Sequence, residues 1–142
     1  MDKTQFETHN LFGQGAPNDR FAQFFTGRSF LNPLTNMSAV ELFAGNVTFE
    51  PGCRNNWHIH HATKGGGQVL LCIAGEGWYQ QWGQPAQKLT PGSVISIPPE
   101  VKHWHGAAAQ TWFSHVAIEV PGENTQTEWL ERVSDEDYQA LS

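Results

Sequence analysis

The stretch Trp57–Gln68, WHIHHATKGGGQ, decides how this chain is read. It places three of the chain's seven histidines within four residues, follows them with a glycine run, and ends on a lone glutamine. Histidine is a poor strand former, but it is a good metal ligand and a good proton carrier near neutral pH. Alternate residues of a strand share a face. On that geometry His58 and His60 point one way, while Trp57, Ile59 and His61 point the other. Two imidazoles so placed can occupy adjacent positions on one metal ion. Two surface histidines would produce the same short pattern, so the further ligands have to come from elsewhere in the chain.

The flanking segments are short, apolar and bounded by Gly or Pro. Leu42–Gly52 ends in a Pro-Gly turn, Gln68–Gly77 ends in glycines, and Gly77–Gly83 alternates aromatic and polar residues. A second Pro-Gly turn lies in KLTPGSVISIPPEVKHWHG (Lys88–Gly106), and Thr111–Gly122 closes the series. Strands at this spacing, punctuated by turns, predict an all-β sandwich or barrel. The charged tail Asn124–Tyr138 carries apolar Trp129, Leu130, Val133 and Tyr138 and is expected to include a short helix. The aromatic-rich Arg20–Leu34 reads as a strand lying across the barrel. With no repeat or linker, residues 1–142 read as one domain: an arm (1–40), a barrel (41–122) and a tail or helix (123–142).

Bulk composition narrows the function classes. A chain of 142 residues can bury a core without disulfide help. The net charge is −6 and the eight basic residues are scattered, which argues against nucleic acid as a partner. Cys53 and Cys72 form no C-x-x-C pair and read as small buried thiols in a reducing compartment. The N-terminus has no apolar signal region, and no apolar run approaches the roughly 20 residues of a membrane span. A soluble cytoplasmic protein, with no nucleic-acid or membrane partner, is the expectation.

The missing ligands have candidates. Gly52 lies six residues before His58, Gln68 follows the glycine run, and Gly75 lies seven residues after Gln68. Further on come Gly92, Pro98 and His103. This arrangement resembles the two motifs of the cupins. The first motif runs Gly, five residues, His-x-His, a short gap, Glu or Gln, six residues, Gly; the second runs Gly, five residues, Pro, then His. The resemblance covers Gly52 to about His105 and implies a jelly-roll barrel, the cupin double-stranded β-helix. It implies that His58, His60, Gln68 and His103 bind one divalent transition metal. Three departures stand out. Gln68 replaces the usual carboxylate, which would make the metal a stronger Lewis acid. Seven residues separate His60 from Gln68 where the family has three or four. Glu100 and Ala107 stand where the family often has Gly and Asn.

Within the cupins, HWHGAAAQT after the second motif, SHVAIE in the next strand and TEWLERVSDEDY in the tail resemble small bacterial manganese-dependent (R)-hydroxynitrile lyases. That resemblance implies Mn(II) ahead of Fe, Ni or Zn, a small-molecule cyanohydrin substrate, His115 as catalytic base and His105 as a second catalytic candidate. Strand alternation puts Phe113, His115, Ala117 and Glu119 on one face. His61 is read as rim and Lys64 as exposed. His9 is read as outside the site, and Cys72 as an inward core residue. Trp57, Trp78, Trp82 and Trp104 are expected to fill a core or an interface. The arm Phe21–Leu34 is expected to add to a neighbour's sheet and give a homodimer, since open sheet edges need covering. Fold does not fix function. An Fe(II)-dependent dioxygenase and a non-enzymatic small-molecule-binding cupin are the alternatives.

Overall fold

The structure is a computed structural model and describes residues 1–141. Two antiparallel sheets carry most of the chain. The first runs, in spatial order, Ala16–Pro17, Ser29–Pro33, Phe43–Phe49, Phe113–Glu119, Gln68–Gly75, Val94–Ile97. The second runs Gln87–Leu89, Gly77–Gln81, His103–Ala107, Arg54–Asn55, Phe25–Thr26. In that second sheet His58–His61 also pairs with His103–Ala107, and on its other side with Gln126–Trp129. Strands distant in sequence are thus neighbours in space, as a jelly roll requires.

The period-2 pattern of the sequence becomes an inside and an outside. In Gln68–Gly75, Gln68, Leu70, Cys72 and Ala74 are buried, while the residues between them are only partly so. Leu70 packs with Phe49, Leu89, Ile95 and Phe113 into the core between the sheets. A second apolar cluster, Trp57, Trp78, Trp104, Val133 and Tyr138, joins the tail to the second sheet. Three of the four expected core tryptophans are therefore buried. Trp82 is not: it is 55% exposed, with its ring against the edge of Trp57 and Lys102 Nζ 3.5 Å from its centroid. Both cysteines are free and buried.

The chain ends depart from the expectation in informative ways. The first half of the tail is a strand, Gln126–Trp129, because the His58–His61 strand has an open side to pair with; the helix is confined to Asp135–Gln139. Ser134 caps that helix by accepting from the Asp137 amide at 3.1 Å. Buried Arg54 fastens the tail. It donates to the Val133 carbonyl and the Asp135 carboxylate and lies 4.2 Å from the Tyr138 ring. Tyr138 Oη in turn donates to the Ala107 carbonyl at 2.6 Å. At the other end, Lys3–His9 is a helix with an Asp2/Gln5 capping box, and its Phe6 packs on Trp112. Arg20–Leu34 is not one strand: a 3-10 turn, Asp19–Phe24, precedes the short strand Phe25–Thr26, and Ser29–Pro33 pairs with Phe43–Phe49 of its own chain.

Gly75, the last residue of the first motif, shows what the motif glycines do. Its φ is +73°, and a Cβ there would lie 1.8 Å from the Trp112 carbonyl oxygen. Gly75→Ala is therefore expected to cost roughly 2–5 kcal/mol through the combined strain and clash. Chemical denaturation would read this, and an unchanged midpoint would contradict the close approach.

Candidate metal centre

His58 and His60 alternate inward on their strand, as i and i+2 residues must. His103 lies directly opposite His58 in the antiparallel register, so the two motifs meet at one point. The His58 and His103 ring centroids are 4.1 Å apart, and His60 lies 5.1 Å and 5.2 Å from them. Each ring has its Nδ1 engaged. His58 Nδ1 donates to the Asn56 carbonyl at 2.8 Å and His103 Nδ1 to the Val101 carbonyl at 2.9 Å. His60 Nδ1 meets Thr127 Oγ1 at 3.2 Å. Carbonyl partners fix the tautomer and leave Nε2 as a bare lone pair, the arrangement expected of metal-ligating histidines.

Three buried polar atoms here lack any hydrogen-bond partner: His60 Nε2, His103 Nε2 and Gln68 Oε1. A buried orphan of this kind costs about 1–3 kcal/mol. Two imidazole nitrogens and an amide oxygen, all unpartnered, together with the His58 ring, form a donor set that suits a divalent transition metal. Gln68 Nε2 donates to Glu119 Oε1 at 2.5 Å.

Behind this group sits a second pair. His115 Nε2 lies 3.0 Å from His105 Nδ1, and Asn55 braces His105 through its backbone amide and its ring. Ligand-capable atoms of His58, His103 and His105 all fall within 4.8 Å of one another. That cluster takes in His105 and leaves out His60, whose ring centroid stands 5.1 Å and 5.2 Å from those of His58 and His103. His105 is already engaged by His115 and Asn55, whereas His60 Nε2 is free, which makes His60 the more available third ligand.

Burial holds these rings neutral. It pushes His58 and His105 well below the ordinary histidine value, with neighbouring imidazoles adding to the effect. His103 falls to about 4, mainly through burial, despite its Val101 hydrogen bond. His115 falls to about 3 for the same first reason. His60 is also lowered by burial, with the Glu119 charge pulling the other way. Neutral imidazoles keep their lone pairs for a metal or a proton.

His61 faces outward between Glu100 and Glu128, at 2.5 Å and 2.8 Å, and those hydrogen bonds raise its pKa. Glu100, standing where cupins often have glycine, adopts φ +70°. Its carboxylate accepts from the Ala62 amide at 2.9 Å and its own amide donates to the His60 carbonyl at 2.9 Å, contacts that hold this backbone in place. The long gap before Gln68 is ordered by pairing Lys64–Gly65 with Gly122–Glu123, and Lys64 is exposed. His9 lies outside the site, its Nδ1 against the Gln5 carbonyl. Sequence reasoning missed Asn55, Thr127 and Trp129. Thr127 and Trp129 stand opposite His60 and His58, and Trp129 stacks on the His58 ring at 4.6 Å. The i, i+2 spacing of Thr127 and Trp129 is the signal the sequence carries for them.

A cavity of about 730 Å³ opens onto these groups. Phe21, Phe25, Leu31, Val47 and Phe49 form apolar walls, while His58, His60, Gln68, His105 and His115 supply the polar groups. This combination is that of a small-molecule site.

No family model matches the chain. It is 42% identical over 118 residues to the (R)-mandelonitrile lyase of Granulicella tundricola, spanning 82% of this chain and 87% of that protein. A cupin-like protein from Thermotoga maritima superposes with a TM-score of 0.78 at 36% identity, covering 91% of this chain and 94% of that one. The chain is a cupin. A cupin 2 conserved barrel domain protein from Rhodopseudomonas palustris shares the cupin fold at 13% identity, with a TM-score of 0.65 over 86% of this chain and 78% of that one.

The neutral histidines of this cupin set an acid limit. An unfolded histidine titrates near 6.5. His103 and His115 have folded values of about 4 and about 3, so in acid the unfolded chain binds more protons than the folded one. Their stabilising contribution is complete above pH 6.5 and is lost as pH falls from there toward 4 and then 3. The unfolding temperature of chelator-treated protein is expected to fall steadily between pH 7 and pH 4.5. A flat profile would argue against neutral burial.

Proposed function

We propose that this cupin is a metal-dependent hydroxynitrile lyase that cleaves aryl cyanohydrins of the mandelonitrile type to an aldehyde and hydrogen cyanide. The observation that carries the reading is the juxtaposition of unpartnered ligand atoms with a neutral His105–His115 pair in one apolar cavity. The identity to a mandelonitrile lyase supports the substrate class.

In this reading His58, His60, Gln68 and His103 hold the metal. The set has three nitrogens, one amide oxygen and no thiolate, which is compatible with manganese. When bound, the cation supplies a Lewis acid that lowers the pKa of the substrate hydroxyl. The chain's own residues do the rest. The walls around Phe25 and Phe49 take the aryl group and exclude water. The neutral imidazole pair accepts the hydroxyl proton, and the 3.0 Å contact lets the two rings share the resulting charge. The carbon–cyanide bond breaks with its electron pair leaving on cyanide, and the carbonyl forms. Cyanide then takes the proton from the imidazolium and departs as hydrogen cyanide. A homodimer belongs to the same reading: Val94 is 60% exposed on the edge strand Val94–Ile97, a surface suited to a second copy.

Two variants separate the roles. His103→Ala is expected to lose the metal, read by elemental analysis. His115→Ala is expected to keep the metal while its mandelonitrile cleavage falls roughly 10²–10⁴-fold. Full activity in His115→Ala would remove the base assignment, and substrate-dependent oxygen uptake by the wild type would point to an oxygenase instead.

A further inference from the structure

The cupin first motif usually brings a carboxylate to the metal, and this chain brings a neutral amide. The carboxylate is present, one position further out. Gln68 opens its strand and Glu119 closes the neighbouring one, and the antiparallel register sets them directly opposite each other. A ladder that continues through His115 and Cys72 fixes that pairing.

We propose that Glu119 is the positioning residue of the metal centre: it locks the orientation of Gln68 and supplies, from behind it, the negative charge that the ligand set lacks. The inference rests on the metal reading above. Its first support is chemical. An ionised carboxylate can only accept, so only the amide NH₂ of Gln68 can face it. The 2.5 Å contact from Gln68 Nε2 to Glu119 Oε1 therefore dictates which way the amide points. Gln68 Oε1 is left out of that contact, buried and without a hydrogen-bond partner, and so is the amide atom available as a ligand. Released from Glu119, the amide could turn and present its NH₂ to the cation.

The second support is electrostatic. Three neutral imidazoles and an amide leave the full charge of a divalent ion uncompensated in a cavity with mostly apolar walls. Glu119 lines that cavity together with His60 and Gln68. Partners in contact with the ligands typically change metal affinity by about 10–100-fold. Charge placed there, rather than on a ligand, holds the cation without giving up an anionic donor's share of its Lewis acidity.

The test is Mn(II) binding to metal-free protein, followed by electron paramagnetic resonance titration and by the metal-induced rise in unfolding temperature. Three proteins are compared: wild type, Glu119→Gln, and the exchange Gln68→Glu with Glu119→Gln. Glu119→Gln keeps the shape of the side chain, and an unchanged unfolding temperature without metal shows that it is folded. It is expected to weaken Mn(II) binding by about tenfold or more. The exchange variant, which returns one carboxylate to the pair, is expected to recover most of that loss. A smaller loss in Glu119→Gln overturns the inference, and so does a loss that the exchange leaves uncorrected. Failure of the wild type to bind Mn(II), Fe(II), Ni(II) and Zn(II) alike overturns the metal reading itself, a result distinct from either.

Discussion

The site depends on one strand pairing. His58–His61 lies antiparallel to His103–Ala107 with His58 opposite His103, and that register brings imidazoles 45 residues apart in sequence to 4.1 Å in space. A slip of one residue would turn every side chain of the strand to the other face. His58 and His60 would then face outward and His61 inward, and the ligand set would be gone. The pairing is secured on both sides. Gly77–Gln81 pairs along the far edge of His103–Ala107, and the tail strand pairs along the far edge of His58–His61.

Gathering five buried imidazoles works against folding. Each must stay neutral, and their unpartnered atoms carry a desolvation cost. The structure limits that cost by giving most rings a partner on the side away from the centre. Asn56 and Val101 offer carbonyls, Thr127 a hydroxyl, and Asn55 its amide NH₂ to the His105 ring. Of the ring atoms left unpartnered, His60 Nε2 and His103 Nε2 are those a cation would take up, while His115 Nδ1 stays without a partner. A metal-binding cupin would then gain stability on loading, because binding to the folded state alone shifts the folding equilibrium.

The tail is part of the site as well as its fastening. Trp129 lies between Phe24 and His58, stacked at 4.6 Å from each ring. The Arg54 contacts hold the chain just beyond it: the buried guanidinium donates to the Val133 carbonyl and to the exposed Asp135 carboxylate. Through that arrangement the C-terminal residues help set the wall of the cavity around the histidines.

The barrel, its two motifs and the inward row from Gln68 were legible in the sequence, because local periodicity and glycine spacing encode them. The inward placing of His58, His60, Gln68, His103, His105 and His115 was legible too, since each of the six is buried. The role of the tail was not. Its charged, irregular sequence resembles a helix start, and only the open side of His58–His61 makes a strand of Gln126–Trp129. Glu100 at φ +70° was equally hidden, since nothing local favours a non-glycine there and the partners that hold it lie 38 to 40 residues away. The sequence by itself determined which atoms can bind a metal or carry a proton. Tertiary structure decided which of those atoms face one another, because cross-strand register is set by the packing of the whole barrel rather than by neighbours along the chain.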